Sequence, residues 1–106
     1  MSAGAASTDQ TPAGYSKNDF FVSAATTQDD YEQIIFTNSL NEAFLSGAQI
    51  IVCDSANSLD FSYDGVNLHG TLNENESATF DYRARSCIFV KPTSAGNNAT
   101  YRIMAW

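Results

Sequence analysis

Few residues in this chain have chemistry to offer. Asp60, Asp64, Glu74 and Glu76 lie close together in sequence and could supply the hard oxygen atoms that a calcium ion takes. They lack the loop spacing of a calcium-binding motif, so solvated carboxylates on an acidic surface are expected instead. Two carboxylates flanking a sugar could hydrolyse it, but in so acidic a chain any such pair is cheap, and spacing reveals no pocket. His69 has no second histidine or cysteine at ligand spacing, so a structural histidine that hydrogen-bonds a turn is expected. There is no G-x-S-x-G, no phosphate-cradling glycine loop and no Cys/His pair close in sequence. The expectation is a protein that is not an enzyme, with no metal and no cofactor.

Cys53 and Cys87 sit inside the apolar runs IIVCDS and SCIFV. Free buried thiols are expected, since cysteine packs as a small hydrophobe; a disulfide between core strands stays open, because spacing does not give the Cα separation. Asn75-Glu76-Ser77 and Asn98-Ala99-Thr100 fit the glycosylation acceptor pattern, as chance matches in a chain without a secretory signal.

The elements that would position these residues read as strands. Charged residues make up only 16% and aromatics 12%, a mixture that suits half-buried strands and polar turns better than long amphipathic helices. The net charge of −7 disfavours a phosphate backbone as partner, because that affinity comes from lysine and arginine. No apolar run is long enough for a membrane span, so a soluble chain is expected. One small domain is the ceiling at 106 residues.

Residues 1–18 are small and polar and read as a flexible arm that becomes ordered against a neighbour, or as a plain disordered end. Phe20, Phe21 and Val22 form the first apolar knot, a short strand or an anchoring plug. Tyr31–Thr37 is a strand candidate, Asn38–Glu42 a turn, and Ala43–Gly47 is open between a helical turn and a strand edge. Gln49–Asp54 and Ser86–Lys91 are apolar on both faces and belong near the centre, with Pro92 ending the second. Leu59–Tyr63, a tight Asp64-Gly65 turn and a second alternating run read as a hairpin. A polar connection at Asn73–Ser77 then leads to Ala78, Phe80 and Tyr82, giving three strands in one local meander. Thr93–Asn98 is a loop, and Thr100–Trp106 alternates to the end of the chain. The expected fold is all-β: a small antiparallel β-sandwich of about seven strands over residues 19–106, jelly-roll or immunoglobulin-like in connectivity.

The segment FSYDGVNLHG, from Phe61 to Gly70, is followed by Leu72, Glu76, Phe80, Arg83 and the ending YRIMAW. This series resembles a group of small virion proteins of tailed bacteriophages, in which an F-S-F-D-G-V-N-V-H-G hairpin precedes a G-E-S-L-T-F strand and a closing Y-R-V-W-A-W. The likeness covers Gln49–Trp106. It departs at Asn75, where the pattern has glycine, and at Met104, where it has an aromatic. It implies a non-enzymatic component of the particle, a capsid decoration or cement protein or a head-to-tail accessory. Its partners would be the major capsid protein or other virion proteins, as a homo-oligomer located in the virion.

On that reading the interface candidates are Phe20, Phe21, Arg83, Arg85 and Arg102. The arginines either pair with this chain's own carboxylates or present forked guanidinium groups to a neighbour. A carbohydrate-binding adhesion module is the alternative from another class. Tyr63, Tyr82, Tyr101 and Trp106 are its available platforms, unless they pack in the core.

Overall fold

The computed structural model describes residues 18–81 and 83–106. Eight strands run in chain order: β1 (Phe20–Ala25), β2 (Glu32–Ile35), β3 (Gln49–Cys53), β4 (Leu59–Ser62), β5 (Gly70–Leu72), β6 (Ser77–Phe80), β7 (Cys87–Pro92) and β8 (Thr100–Ala105). They form two antiparallel four-stranded sheets, ordered β1-β8-β3-β6 and β2-β7-β4-β5. The expected all-β, sandwich-like body is present, with eight strands where about seven were expected. No helix occurs among the described residues.

The runs apolar on both faces became interior strands. β3 lies between β8 and β6, and β7 lies between β2 and β4, so each meets a neighbour on both edges and exposes no residue fully. Alternation decides the rest. Tyr101, Ile103 and Ala105 of β8 point inward with Ile51 and Cys53 of β3, against Ile88 and Val90 of β7 and Leu59 and Phe61 of β4. Each such aliphatic side chain contributes about 1.5–3 kcal/mol on burial. Pro92 closes β7 in register with Leu59.

The local meander is only half realised. β4 and β5 pair as a hairpin, with Leu59 opposite Leu72, but β6 crosses to the other sheet and pairs with β3, Ile51 opposite Ala78. The tight Asp64-Gly65 turn is also replaced. The connection runs over residues 63–69, because Asp64 folds the backbone around its own carboxylate. That group accepts hydrogen bonds from the amides of Val66 and Asn67, both at 2.8 Å, and from Asn67 Nδ2 at 2.8 Å. Ser62 Oγ donates to it at 2.9 Å and accepts from the Gly65 amide at 3.0 Å. His69 does what was expected of it: its Nδ1 accepts the Tyr63 amide at 2.9 Å. Gly65 takes φ +78° against the Phe89 ring.

Asn75, where the resembling pattern has glycine, takes φ +66°, in the left-handed region that asparagine tolerates. Ala43–Gly47 is neither helix nor continuous strand: Ala43 bridges to Thr37 and Ser46 to Arg85, while Phe44 enters the core beside Phe36 at 6.4 Å between ring centres. Both cysteines are free. Cys53 is buried in β3, and Cys87 is only half-buried in β7.

Candidate interaction surface

Antiparallel pairing gives the body two ends. The chain enters β1 and leaves β8 at the same end, here termed the entry end, which also carries the connections 36–48, 63–69 and 81–86. The opposite, far end carries connections 26–31, 54–58, 73–76 and 93–99.

The two ends differ sharply in chemistry. Every large hydrophobic side chain found exposed among the described residues belongs to the entry end: Phe21, Ile35, Leu40, Leu45, Val66, Leu68 and Trp106. Isolated exposed hydrophobics are ordinary; their collection at one end makes that end the candidate interaction surface. The far end carries Asp29, Asp30, Asp54, Glu74 and Glu76 among serines, threonines and asparagines, while Asp19, Glu42, Asp64 and Asp81 lie at the entry end, so the exposed apolar side chains and not the charge set the two apart. A small polar hollow of about 210 Å³ opens there, lined by Asn57, Ser58, Thr93, Ser94, Asn97 and Ala56.

Backbone hydrogen bonds tie the end of β8 to the 36–48 connection. Trp106 donates to Ala48 O at 3.0 Å and accepts from the Gly47 and Ala48 amides, extending the β8–β3 ladder past its last strand residue. Ser46 Oγ bonds both Trp106 O and Ala48 O, at 3.0 and 2.7 Å. Buried Gln49 reaches Ser46 through its amide nitrogen. On the outer face of this sheet, Phe21 lies opposite Met104, which lies opposite Ile50. Asp19, Phe20, Phe21, Met104, Ala105 and Trp106 line a hollow of about 400 Å³.

The chain matches no family model, no curated protein and no solved structure.

The five interface candidates separate into two groups. Phe21 is 61% exposed and Arg83 is exposed, so both are presented at the entry end. The other three are engaged within the chain. Phe20 faces inward and packs on Phe36, ring centres 5.5 Å apart. Arg85 lies over the Tyr63 ring at 3.6 Å, and its backbone pairs with Ser46. Arg102 is held by Asp54 through three hydrogen bonds of 2.8–3.1 Å, which raise the pKa of the guanidinium further. The strands thus share Phe21, Arg83 and Arg85 at one end, with Arg102 diagonal to Phe21 on the outer face.

The aromatic platforms reduce to one described residue. Tyr101 is 2% exposed, where burial foremost, then the charge of Glu32, raises its pKa. Tyr63 stacks on His69 at 4.6 Å and meets Phe80 edge-on at 5.4 Å. Trp106 is half exposed, and Tyr82 lies outside the described residues.

The acidic cluster is not one solvated group. Asp60 points to the outer face of its sheet yet is 5% exposed, because Thr71 and Thr93 donate their hydroxyls to Oδ1 at 2.8 and 2.6 Å and Lys91 approaches Oδ2 at 3.9 Å. Tyr31 sits beside it under Lys91, its pKa raised by burial and then by the charges of Asp60, Asp64 and Asp30. Among the described residues no three His, Cys, Asp or Glu groups converge as a metal site, and no helix is long and apolar enough to cross a membrane. Sequence reasoning passed over Leu45 and Leu68. Alternation gives no face to a residue in a connection, so no signal singled them out.

Proposed function

We propose that this chain is a non-enzymatic structural protein of a phage virion, a capsid decoration or cement protein that docks on the head shell by its entry end. The observation that carries the reading is the sorting of exposed apolar side chains to the end where residues 1–17 join the domain. Docking there would cover Phe21, Leu45 and Trp106 and leave the far end in water.

Two further points support it. We read the strand order β1-β8-β3-β6 facing β2-β7-β4-β5 as an eight-stranded jelly roll in preference to an immunoglobulin-like sandwich; viral capsid domains use that architecture. The segment resembling virion proteins, Phe61–Gly70, is used structurally: Phe61 fills the core, while Asp64, Gly65, Asn67 and His69 shape one loop. In the particle the chain acts as a homo-oligomeric array against the major capsid protein, where repetition by symmetry multiplies a modest contact. A head-to-tail connector or fibre-attachment component would need the same rigid unit.

Copy number per purified particle tests the proposal. Hundreds of copies support shell decoration, about six or twelve would move the protein to the tail axis, and absence from the particle would end the reading.

A further inference from the structure

We infer that the polar hollow at the far end binds a neutral sugar ring through hydrogen bonds to Asn57, Ser94 and Asn97. The site lies at the opposite end from the proposed docking contact and does not depend on it. Its volume of about 210 Å³ is below the roughly 300–1,000 Å³ of pockets for drug-sized ligands, so it suits one small ring.

Connections 54–58 and 93–99 form the walls, and hydrogen bonds within the chain hold both in place. Asn57 Nδ2 donates to Asn98 O at 2.9 Å and the Thr93 amide donates to Ser58 O at 3.0 Å, which ties one wall to the other. Ser55 Oγ accepts the Thr100 amide at 2.9 Å. Gly96, at φ +81°, donates its amide to Asp29 Oδ1 at 2.8 Å and so fastens the second wall to the 26–31 connection. Walls already ordered lose little freedom when a ligand arrives.

The hydrogen-bonding groups left over select the occupant. Asn57 keeps its Oδ1 acceptor. Ser58 and Thr93 donate their hydroxyl protons to Asn73 Oδ1 and Asp60 Oδ1, at 2.7 and 2.6 Å, and are left as acceptors. The Ser94 hydroxyl and the Asn97 side-chain amide take no part in the hydrogen bonds among the described residues, so both donate and accept freely. A fitting ligand brings several donors with acceptors beside them, as adjacent sugar hydroxyls do. No charged side chain lines the hollow, so a phosphate would find no cationic partner and a calcium ion no carboxylate. An apolar group would strip water from these polar atoms without replacing its hydrogen bonds, whereas sugar hydroxyls reproduce them. With no aromatic ring in the lining, hydrogen bonds alone supply the affinity, which places the Kd in the millimolar range.

The isotope-labelled full chain is titrated, with amide signals as readout, against glucose, galactose and mannose, each free and as its methyl glycoside. Glycerol, N-acetylneuraminic acid and calcium chloride are the comparison ligands. At least one hexose is expected to shift the signals of 56–58 and 93–97 saturably, with glycerol about tenfold weaker or more and the acidic sugar silent. Asn97→Ala should weaken the hexose response about threefold to tenfold and leave the thermal midpoint unchanged. Binding of a methyl glycoside supports the inference and assigns the end residue of a glycan; binding of the free sugar alone supports it and assigns a monosaccharide in solution. No saturable shift with any hexose, an equal response to glycerol or calcium, or a hexose response that Asn97→Ala leaves intact overturns the inference. None of these results alters the copy number that tests docking, so the two readings fail separately.

Discussion

Gly70 lies so close beneath the ring of Phe61 that a Cβ at this position would overlap the ring carbons. The two residues are cross-strand partners at the end of the β4–β5 hairpin, and Phe61 is at the same time a core side chain 5.6 Å from Phe80 of the opposite sheet. A single methyl group here must therefore push on both layers. Gly70→Ala is expected to cost about 1–3 kcal/mol, read as a lowered denaturant midpoint. Gly47→Ala, where the added atom meets only Trp106 O at 4.0 Å, should change the midpoint little. Equal behaviour of the two variants would contradict the packing described.

Acid should loosen the 63–69 connection before it unfolds the body. The Asp64 carboxyl is held well below the usual carboxylate range, first by the Asn67 and Val66 amides, then by the Asn67 and Ser62 side chains. A group with a depressed folded pKa contributes fully above its unfolded value, near pH 4, and loses that contribution as pH falls through the folded pKa. Protection of the Val66 and Asn67 amides, the intrinsic exchange rate at each pH divided by the observed rate, should hold down to about pH 4 and fall below it. Asp64→Ala should show the lowered protection at neutral pH, and an unchanged loop in that variant would refute the role.

Asp60 is expected to matter through its acceptor oxygens more than its charge. Asp60→Ala leaves the Thr71 and Thr93 hydroxyls without their acceptor and should cost about 1–3 kcal/mol. Asp60→Asn keeps an oxygen for them and loses the approach of Lys91 at 3.9 Å, so a smaller loss in midpoint is expected. A larger loss for asparagine than for alanine would show that the charge dominates.

Removing residues 1–18 and removing residues 1–22 should behave differently. The shorter deletion leaves β1 whole. The longer one takes Phe20, Phe21 and Val22 from a six-residue edge strand, including the Phe20–Phe36 contact and the Val22–Ile103 pairing. It should cost about 3 kcal/mol or more, so loss of particle binding in that variant alone would report damage to the fold. Retention of full binding after deletion of 1–18 would remove those residues from the docking surface.

Surface substitutions should divide by end. Leu45→Glu, at a position 69% exposed, should leave thermal stability unchanged and release the protein from the particle. Asn97→Asp at the far end should do neither. Release by the far-end variant would invert the proposed orientation.

The strands were legible because pleating writes burial into every second residue. β3, β7 and β8 were readable almost to their limits, since runs such as Gln49–Cys53 and Cys87–Pro92 have no polar face to leave in water. Partner choice was not legible. Ala78 and Phe80 alternate as they would beside β5, and only the closure of two layers sends them to β3. The 63–69 loop was misread because Asp64-Gly65 carries the same signal for a two-residue turn and for a longer Asx-closed loop. Burial of Asp60 was hidden for a related reason: its partners Thr71 and Thr93 come from a neighbouring strand and a distant loop. Of the interface candidates, type alone could not tell outward Phe21 from inward Phe20, adjacent in sequence and opposite in face.

An even number of antiparallel strands returns the polypeptide to the side from which it started, so both tethering points of the domain fall beside Trp106 and Phe21. Cargo fused at either tether would crowd the proposed docking end. A foreign peptide spliced between Ser94 and Asn97, some six β8 residues away from that end, would stand clear of it and face outward.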